Sequence, residues 1–244
     1  RRAMSVCKPG MYEYQIEAEY LHEFHSQGGR PSYLPIVGSG PNSCILHYHA
    51  NNRKLEDGDL LLVDAGCEYD YYASDVTRTW PVNGRFTTEQ RAIYQVVLDA
   101  HAAAIAEVRP GNPWNHPHEA AVRVVTQGLK QLGLLEGSLA ELLRTRAYQR
   151  FFMHRTGHWL GMDVHDVGDY RIVEEWRVLE PGMTLTVEPG IYIPAGSRGI
   201  AKQWWNIGVR IEDDVLVTRD GCEVMTRDLP VDPDAIEALI GAVA

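Results

Sequence analysis

No apolar run in this sequence approaches the roughly 20 residues that a helical membrane span requires. Basic residues are in deficit. Only 23 Lys and Arg stand against 33 Asp and Glu, a formal charge of −10, which argues against nucleic-acid or membrane-surface binding, since both need basic patches. The four cysteines, Cys7, Cys44, Cys67 and Cys222, lie far apart with no Cys-x-x-Cys pair. That favours reduced thiols in a reducing, cytoplasmic setting over a zinc ribbon or a disulfide scaffold. The opening Arg1-Arg2-Ala3-Met4 has no apolar segment behind it and so is no secretory signal; starting without an initiator Met, the chain reads as a candidate fragment of something longer. What is abundant is acid, and acids in excess are neutralised where cations bind.

A chain of 244 residues can bury a full core without staples. Ile16, Tyr20, Leu21 and Phe24 recur at helical spacing over 11–27, which ends at Gly28-Gly29. After a loop over 28–42, Cys44–Tyr48 reads as a short strand, and Leu60–Val63 as a buried strand entered through Asp57-Gly58. Thr87-Thr88-Glu89-Gln90 resembles a capping box, followed by Ile93, Val97, Ala100 and Ala104 on one helical face and stopped by Arg109-Pro110-Gly111. Helices over 117–132 and 138–148, strands at Thr184–Glu188 and Val209–Val217, and a C-terminal helix opened by Asp232-Pro233-Asp234 complete the pattern. The irregular alternation predicts an α/β or α+β class with a mixed sheet. No low-complexity linker divides the chain, so residues 1–244 read as one domain.

The segment Leu55–Gly66 aligns without gaps on Leu179–Gly190, with six of twelve positions identical and Asp64 exchanged for Glu188. Each copy is a turn, a strand, then a carboxylate followed two residues later by Gly. A recurrent turn–strand pattern would produce part of this match. A duplication that places one acid from each half at the centre accounts for more of it, because both copies end on a carboxylate.

A hairpin turning at Tyr69-Asp70 pairs residues whose numbers sum to 139, which predicts Asp64 opposite Asp75 on one sheet face. Like charges so opposed, at the end of a strand as apolar as Leu60–Val63, are destabilising unless a cation joins them. In Val209–Val217, Val209, Ile211, Val215 and Val217 share one parity, and Arg210, Glu212 and Asp214 the other. A surface strand gives the same alternation, so Glu212 gains weight only as a fourth member of the acid set with Glu188. His154, His158 and His165 fall within twelve residues amid glycines and aromatics, which marks a site. The His154-x-x-x-His158 spacing is not that of a thermolysin-like zinc peptidase, because Arg155 stands where the catalytic Glu is required and Gly157 and Gly161 oppose a helix. Four carboxylates at −1 each balance two divalent cations at +2 each, with a neutral imidazole adding nothing; a single metal would leave two negative charges buried. The oxygen-rich set suits Mn²⁺, Co²⁺ or Fe²⁺ better than structural zinc.

Over nearly its whole length the chain resembles the pita-bread metallopeptidases, and within them the aminopeptidase P (Xaa-Pro aminopeptidase) group. The likeness is densest at Ile36–Gly40, Ile45–Tyr48, Val63–Gly66, Ser74–Thr79, His158–Gly168, Thr186–Gly190 and Arg210–Asp213. The resemblance implies a pseudo-two-fold domain with a curved mixed or antiparallel sheet flanked by helices. It implies two divalent ions, Mn²⁺ first with Co²⁺, Fe²⁺ or Zn²⁺ as alternatives, bound by Asp64, Asp75, His158, Glu188 and Glu212. Glu188 would also be the general base for a metal-bridging hydroxide that attacks the Xaa–Pro bond. His47, His154 and His165 match substrate-positioning and proton-relay histidines, and Tyr33 and Arg210 match supporting hydrogen-bond positions. The implied substrates are peptides or dipeptides with proline second, and the implied assembly is a homo-oligomer. Arg210-Ile211-Glu212 stands where methionine aminopeptidases have Gln-x-Glu, and all five ligands are present, unlike in creatinase-like or chaperone-like members. Prolidase, a dipeptidase, shares nearly every motif and is the alternative; a metal-free peptide-binding relative is the more distant one. Nothing in this chain corresponds to the N-terminal domain of the bacterial members. Trp204 and Trp205 read equally as core or as pocket wall.

Overall fold

The computed structural model describes residues 1–241; residues 242–244 of the expected domain lie outside the described residues. In chain order the helices are α1 (Arg2–Val6), α2 (Glu13–Ser26), α3 (Thr88–Glu107), α4 (His116–Gln131), α5 (Leu139–Arg144) and α6 (Pro233–Gly241). The strands are β1 (Arg30–Pro31), β2 (Ile36–Ser39), β3 (Leu60–Asp64), β4 (Cys67–Glu68), β5 (Thr77–Pro81), β6 (Arg171–Ile172), β7 (Glu175–Trp176), β8 (Thr184–Val187), β9 (Gly190–Ile193), β10 (Ile207–Arg210), β11 (Asp213–Val217) and β12 (Cys222–Val224). Every ladder between named strands is antiparallel, in the orders β2-β3-β5, β8-β11-β12, β9-β10, β1-β4 and β6-β7. Among the described residues no helix is long and apolar enough to cross a membrane.

The expected capping box opens α3: Thr87 Oγ1 accepts from the Gln90 amide, and the Gln90 side chain accepts from the Thr87 amide. Its buried face, Ile93, Tyr94, Val97, Ala100 and Ala104, packs on the sheets and on α4. Gly128 lets α4 come that close, since a Cβ there would lie 2.5 Å from Val96 Cγ1. The helix expected over 138–148 is split. Arg146 adopts a left-handed φ of 55°, which ends α5 and starts a separate 3₁₀ turn at Ala147–Arg150.

Three further expectations need correction. Cys44–Tyr48 is not a strand: Gly40–Cys44 winds a 3₁₀ turn with proline in its first turn, and Ile45 is exposed, so the strand here is Ile36–Ser39. The hairpin register sums to 141 and not 139, placing Asp64 opposite Thr77, because the turn sits at Asp70-Tyr71 with φ of 47° and 67°, the signature of a primed turn. A slip of two residues preserves the face, so Asp64 and Asp75 still point the same way. Val209–Val217 is two strands, interrupted at Ile211-Glu212, where the Glu212 amide donates to Thr77 O across the molecule at 3.1 Å. Both faces of this stretch are buried, Arg210, Glu212 and Asp214 included, which removes the surface-strand reading.

The two copies of the repeated segment occupy equivalent settings. β3 lies between β2 and β5; β8 lies between β11 and the extended residues 156–160, through Leu160 N–H to Thr184 O, Thr186 N–H to His158 O and Glu188 N–H to Thr156 O. The halves meet where β5 runs beside β10: Thr79 Oγ1 donates to Arg210 O and accepts from the Arg210 amide. The repeated glycines have one reason in common. A Cβ would lie 1.6 Å from Ser74 O at Gly66 and 2.4 Å from the Tyr192 hydroxyl at Gly190, so each strand end admits a close neighbour only without a side chain.

Candidate metal centre

The strand ends of both halves open into one cavity of about 510 Å³. Its lining includes Asp64, Asp75, His158, Glu188 and Glu212, together with His47, His154, His165 and Arg210. Tyr33 reaches the same acids from the β1–β2 connection. Donor atoms of Asp75, His158 and Glu212 all lie within 4.8 Å of one another. Asp64 joins through Tyr33, whose single hydroxyl proton is shared between Asp64 Oδ1 and Asp75 Oδ1, the latter at 2.5 Å. Glu188 Oε1 stands 3.8 Å from His158 Nε2. The structure thus brings all five expected ligands together, three tightly and two at the flanks.

The electrostatics favour cations here. Glu212 is buried, and burial first, then Asp75, Glu188 and Asp64, push its carboxyl well above the usual range. Burial lifts Glu188 to about 7, against the opposing pull of His158. Burial also raises Asp64, although Arg210 restrains it, and carries Asp214 to about 8. Acids that hold their protons this tightly are short of positive charge. Hard divalent ions supply it, and the oxygen-rich donor set matches them.

The imidazoles are oriented by backbone acceptors. His158 Nδ1 lies 2.9 Å from Trp159 O, which can only accept, so Nδ1 carries a proton and Nε2 turns its other valence to Asp75, 3.3 Å away. That is the tautomer a metal ligand needs. Burial opposes charge on His158, but its contact with Asp75 and the charge of Glu188 outweigh burial and hold its pKa at about 9. His154 is the opposite case. Its Nδ1 donates to Arg155 O at 2.7 Å, its Nε2 accepts from the Tyr192 hydroxyl at 2.9 Å, and Arg210 Nη1 donates to that same hydroxyl at 2.9 Å. Burial, with Arg210 adding to it, lowers His154 to about 3, so it is neutral near neutral pH. His165 sets its ring edge-to-face on His158, with centroids 4.3 Å apart, and the exposed His47 lies at the cavity wall.

Arg210 is buried and spends its donors on Asp64 Oδ2 at 2.5 Å, Thr77 Oγ1 at 3.1 Å and Tyr192. Thr77 in turn donates to Glu212 Oε2 at 2.6 Å. Thr77, Tyr192 and Asp214, whose Oδ2 accepts from the Asp75 amide at 3.2 Å, were not among the expected site residues. The one signal for them was their place two to four residues from a ligand in strands buried on both faces. Trp204 and Trp205 pack against the core and do not line the cavity.

Comparison with known proteins agrees with this geometry. The profile of metallopeptidase family M24 matches residues 1–219. An Xaa-Pro aminopeptidase of Escherichia coli is 50% identical over 242 residues, covering 99% of this chain and 54% of that protein. A human Xaa-Pro dipeptidase is 39% identical over 260 residues, covering 93% of this chain and 53% of its own length. The solved structure of a Pseudomonas aeruginosa aminopeptidase superimposes with a TM-score of 0.98 at 59% identity, over 99% of this chain and 55% of that one. The chain spans about half the length of these relatives.

Proposed function

Because the chain belongs to metallopeptidase family M24, we propose that it hydrolyses the bond between an N-terminal residue and a following proline, using two divalent ions held by Asp64, Asp75, His158, Glu188 and Glu212. The observation that carries this reading is the gathering of three buried carboxylates, the half-buried Glu188 and one suitably tautomeric imidazole where the two halves meet. Two ions bound there would supply an ionised water at neutral pH and positive charge for the oxyanion that develops on the scissile carbonyl. Every other part of the chemistry falls to side chains.

Glu188, held near neutrality by burial, takes and returns the proton; a base with a pKa close to the working pH does both. Arg210 and Tyr33 fix Asp64, and Thr77 fixes Glu212. His154, locked between Tyr192 and Arg155 O, lies with Nδ1 3.8 Å from Glu188 Oε2 and, as a neutral ring, serves to position the substrate beside that acid. His47 and His165 position the substrate along the cavity wall. Trp114, Tyr170 and Trp176 make that wall aromatic, a surface suited to the apolar face of a proline ring.

Manganese is the proposed metal, from the four oxygen donors against one nitrogen. Four free cysteines fit a reducing cytoplasmic setting. The exposed apolar side chains Met162, Val167 and Val173 support self-association, which sedimentation of the native protein tests. A dipeptidase is the second reading, favoured by the likeness to the human enzyme. Hydrolysis of Xaa-Pro against Xaa-Pro-Xaa peptides with Mn²⁺ separates the two. Release of Xaa from the longer peptides is the expected result; cleavage of dipeptides alone moves the assignment. Metal analysis that finds none bound, with melting unchanged by Mn²⁺ or chelator, would instead leave a peptide-binding relative.

A further inference from the structure

Beside the metal cavity lies a second hollow of about 770 Å³, and its charge is of the opposite sign. The two share His154, Arg155 and Trp176 as a common wall. Arg123, Arg146, Arg155 and Arg171 line the second hollow against a single carboxylate, Glu119. Among the described residues none of the four guanidiniums has a carboxylate within 4.0 Å, in a chain with a formal charge of −10. Other exposed arginines of the chain, Arg85 and Arg219 among them, also have no such partner, so it is the convergence on one hollow that sets these four apart. Four left without one around a single concavity point to an anion from outside.

Two of the four are held in place. Arg155 donates to Asn115 Oδ1 at 2.5 Å and lies over the Trp176 ring; Arg171 lies over the same ring, 3.9 Å from its centroid. The β6–β7 hairpin makes this stack by pairing Arg171 with Trp176. It turns at Val173 with φ of 59°, a conformation that a β-branched residue rarely adopts. Burial, and to a smaller extent the like charge of Arg171, lower the pKa of Arg155. An arriving carboxylate relieves both.

A peptide is itself bipolar. Its ammonium belongs among the acids of the metal cavity, one residue from the bond to be cut. Its other end must then leave that cavity, and the basic hollow adjoins it across His154, Arg155 and Trp176. We propose that this hollow is the subsite for the downstream part of the peptide, where Arg123, Arg146, Arg155 and Arg171 bind its terminal carboxylate. The inference rests on the aminopeptidase reading and narrows it to peptides that continue past proline and end in a free acid.

The test is a series of Xaa-Pro peptides, from tripeptides to hexapeptides, each as free acid and as C-terminal amide, assayed with Mn²⁺. At the lengths that reach the hollow, the acid has a KM about tenfold below that of the amide, with kcat unchanged. In the double variant Arg146→Ala/Arg171→Ala the difference falls to within about twofold, and Arg171→Lys restores part of it. Equal treatment of acids and amides at every length overturns the inference, as does a full preference in the double variant. Failure to cleave any of these peptides is a different result and overturns the aminopeptidase reading. Calorimetric titration of the same acid–amide pairs into the Mn²⁺-loaded protein still decides the hollow in that case: a preference for the acid that the double variant loses supports it, and no preference sinks it.

Discussion

Asp64 and Glu188 stand at the same place in two copies of one strand, yet their surroundings differ. Asp64 is already engaged by the protein, with Tyr33 on one oxygen and Arg210 on the other. Glu188 has no side-chain hydrogen bond among the described residues; its nearest partners are His154 and His158, each at 3.8 Å. Burial raises its pKa to about 7. The repeated element therefore supplies one acid tied by the protein and one without a side-chain hydrogen bond among the described residues. Both acids belong to the proposed ligand set, but only Glu188 is also left free to exchange a proton, and that is the proposed difference between the two strand ends.

The largest expected effect tests that difference at the base. Glu188→Gln keeps an oxygen donor and the side-chain length, so metal content measured by atomic emission and melting both stay near the parent values. Turnover on an Xaa-Pro-peptide falls about 10³-fold, within the range of a lost general base. A variant that keeps substantial turnover would show that the two strand ends are not specialised in this way.

The next effect tests the other strand end and has the reverse signature. Asp64→Asn leaves Arg210, buried and positively charged, without its anion, which costs about 3 kcal/mol of folding stability. Melting drops, and metal content falls from two ions per chain towards one. Should Asp64→Asn lose turnover while keeping both metal and stability, Asp64 would be acting as chemistry and not as a fixed ligand.

The sequence made much of this contrast legible, because its signals were local. Thr87 and Gln90 announce a helix start in four residues, and the Leu55–Gly66 repeat announces two equivalent acids. The acid pair survived a wrong register because an error of two residues leaves both side chains on the same face. What stayed hidden depends on distant partners. Nothing around Tyr69-Asp70-Tyr71-Tyr72 reveals that Asp70 and Tyr71 take positive φ, since the Gly or Asn that would signal a primed turn is missing. The break at Ile211-Glu212 arises because that amide bonds to Thr77, 135 positions away. Tyr192 is a core tyrosine until Arg210 and His154 are seen to meet on its hydroxyl.

A smaller effect should appear in the pH dependence of the metal-free protein. Asp214 and Glu212 bind protons more tightly when folded, so their contribution is complete at acid pH and is lost as pH rises, for Asp214 up to about 8. His158, raised from 6.5 to about 9, likewise contributes fully below 6.5 and loses that contribution as pH climbs to 9. His154, lowered to about 3, has the opposite sign, but its contribution is complete above 6.5 and does not change in that window. Metal-free protein should therefore melt at progressively lower temperature between about pH 6.5 and 9. Mn²⁺ should reverse the slope, because ligands bind it only after giving up their protons. Parallel slopes with and without Mn²⁺, followed by calorimetric melting, would remove Glu212 and His158 from the metal site.

The smallest effect lies where the two halves touch. The Tyr192 hydroxyl accepts from Arg210, which serves Asp64, and donates to His154, which faces Glu188. Tyr192→Phe keeps the buried ring and removes only that link. Two hydrogen bonds go, one of them to a charged group, for a cost of about 1–3 kcal/mol in stability. If the hydroxyl orients His154 beside the base, kcat falls about tenfold while KM hardly moves, since the loss is felt after substrate is bound. If Tyr192 only packs, Tm drops and kcat stays. The split between kcat and Tm thus reports whether the fixed strand end and the uncommitted one communicate, or merely lie side by side.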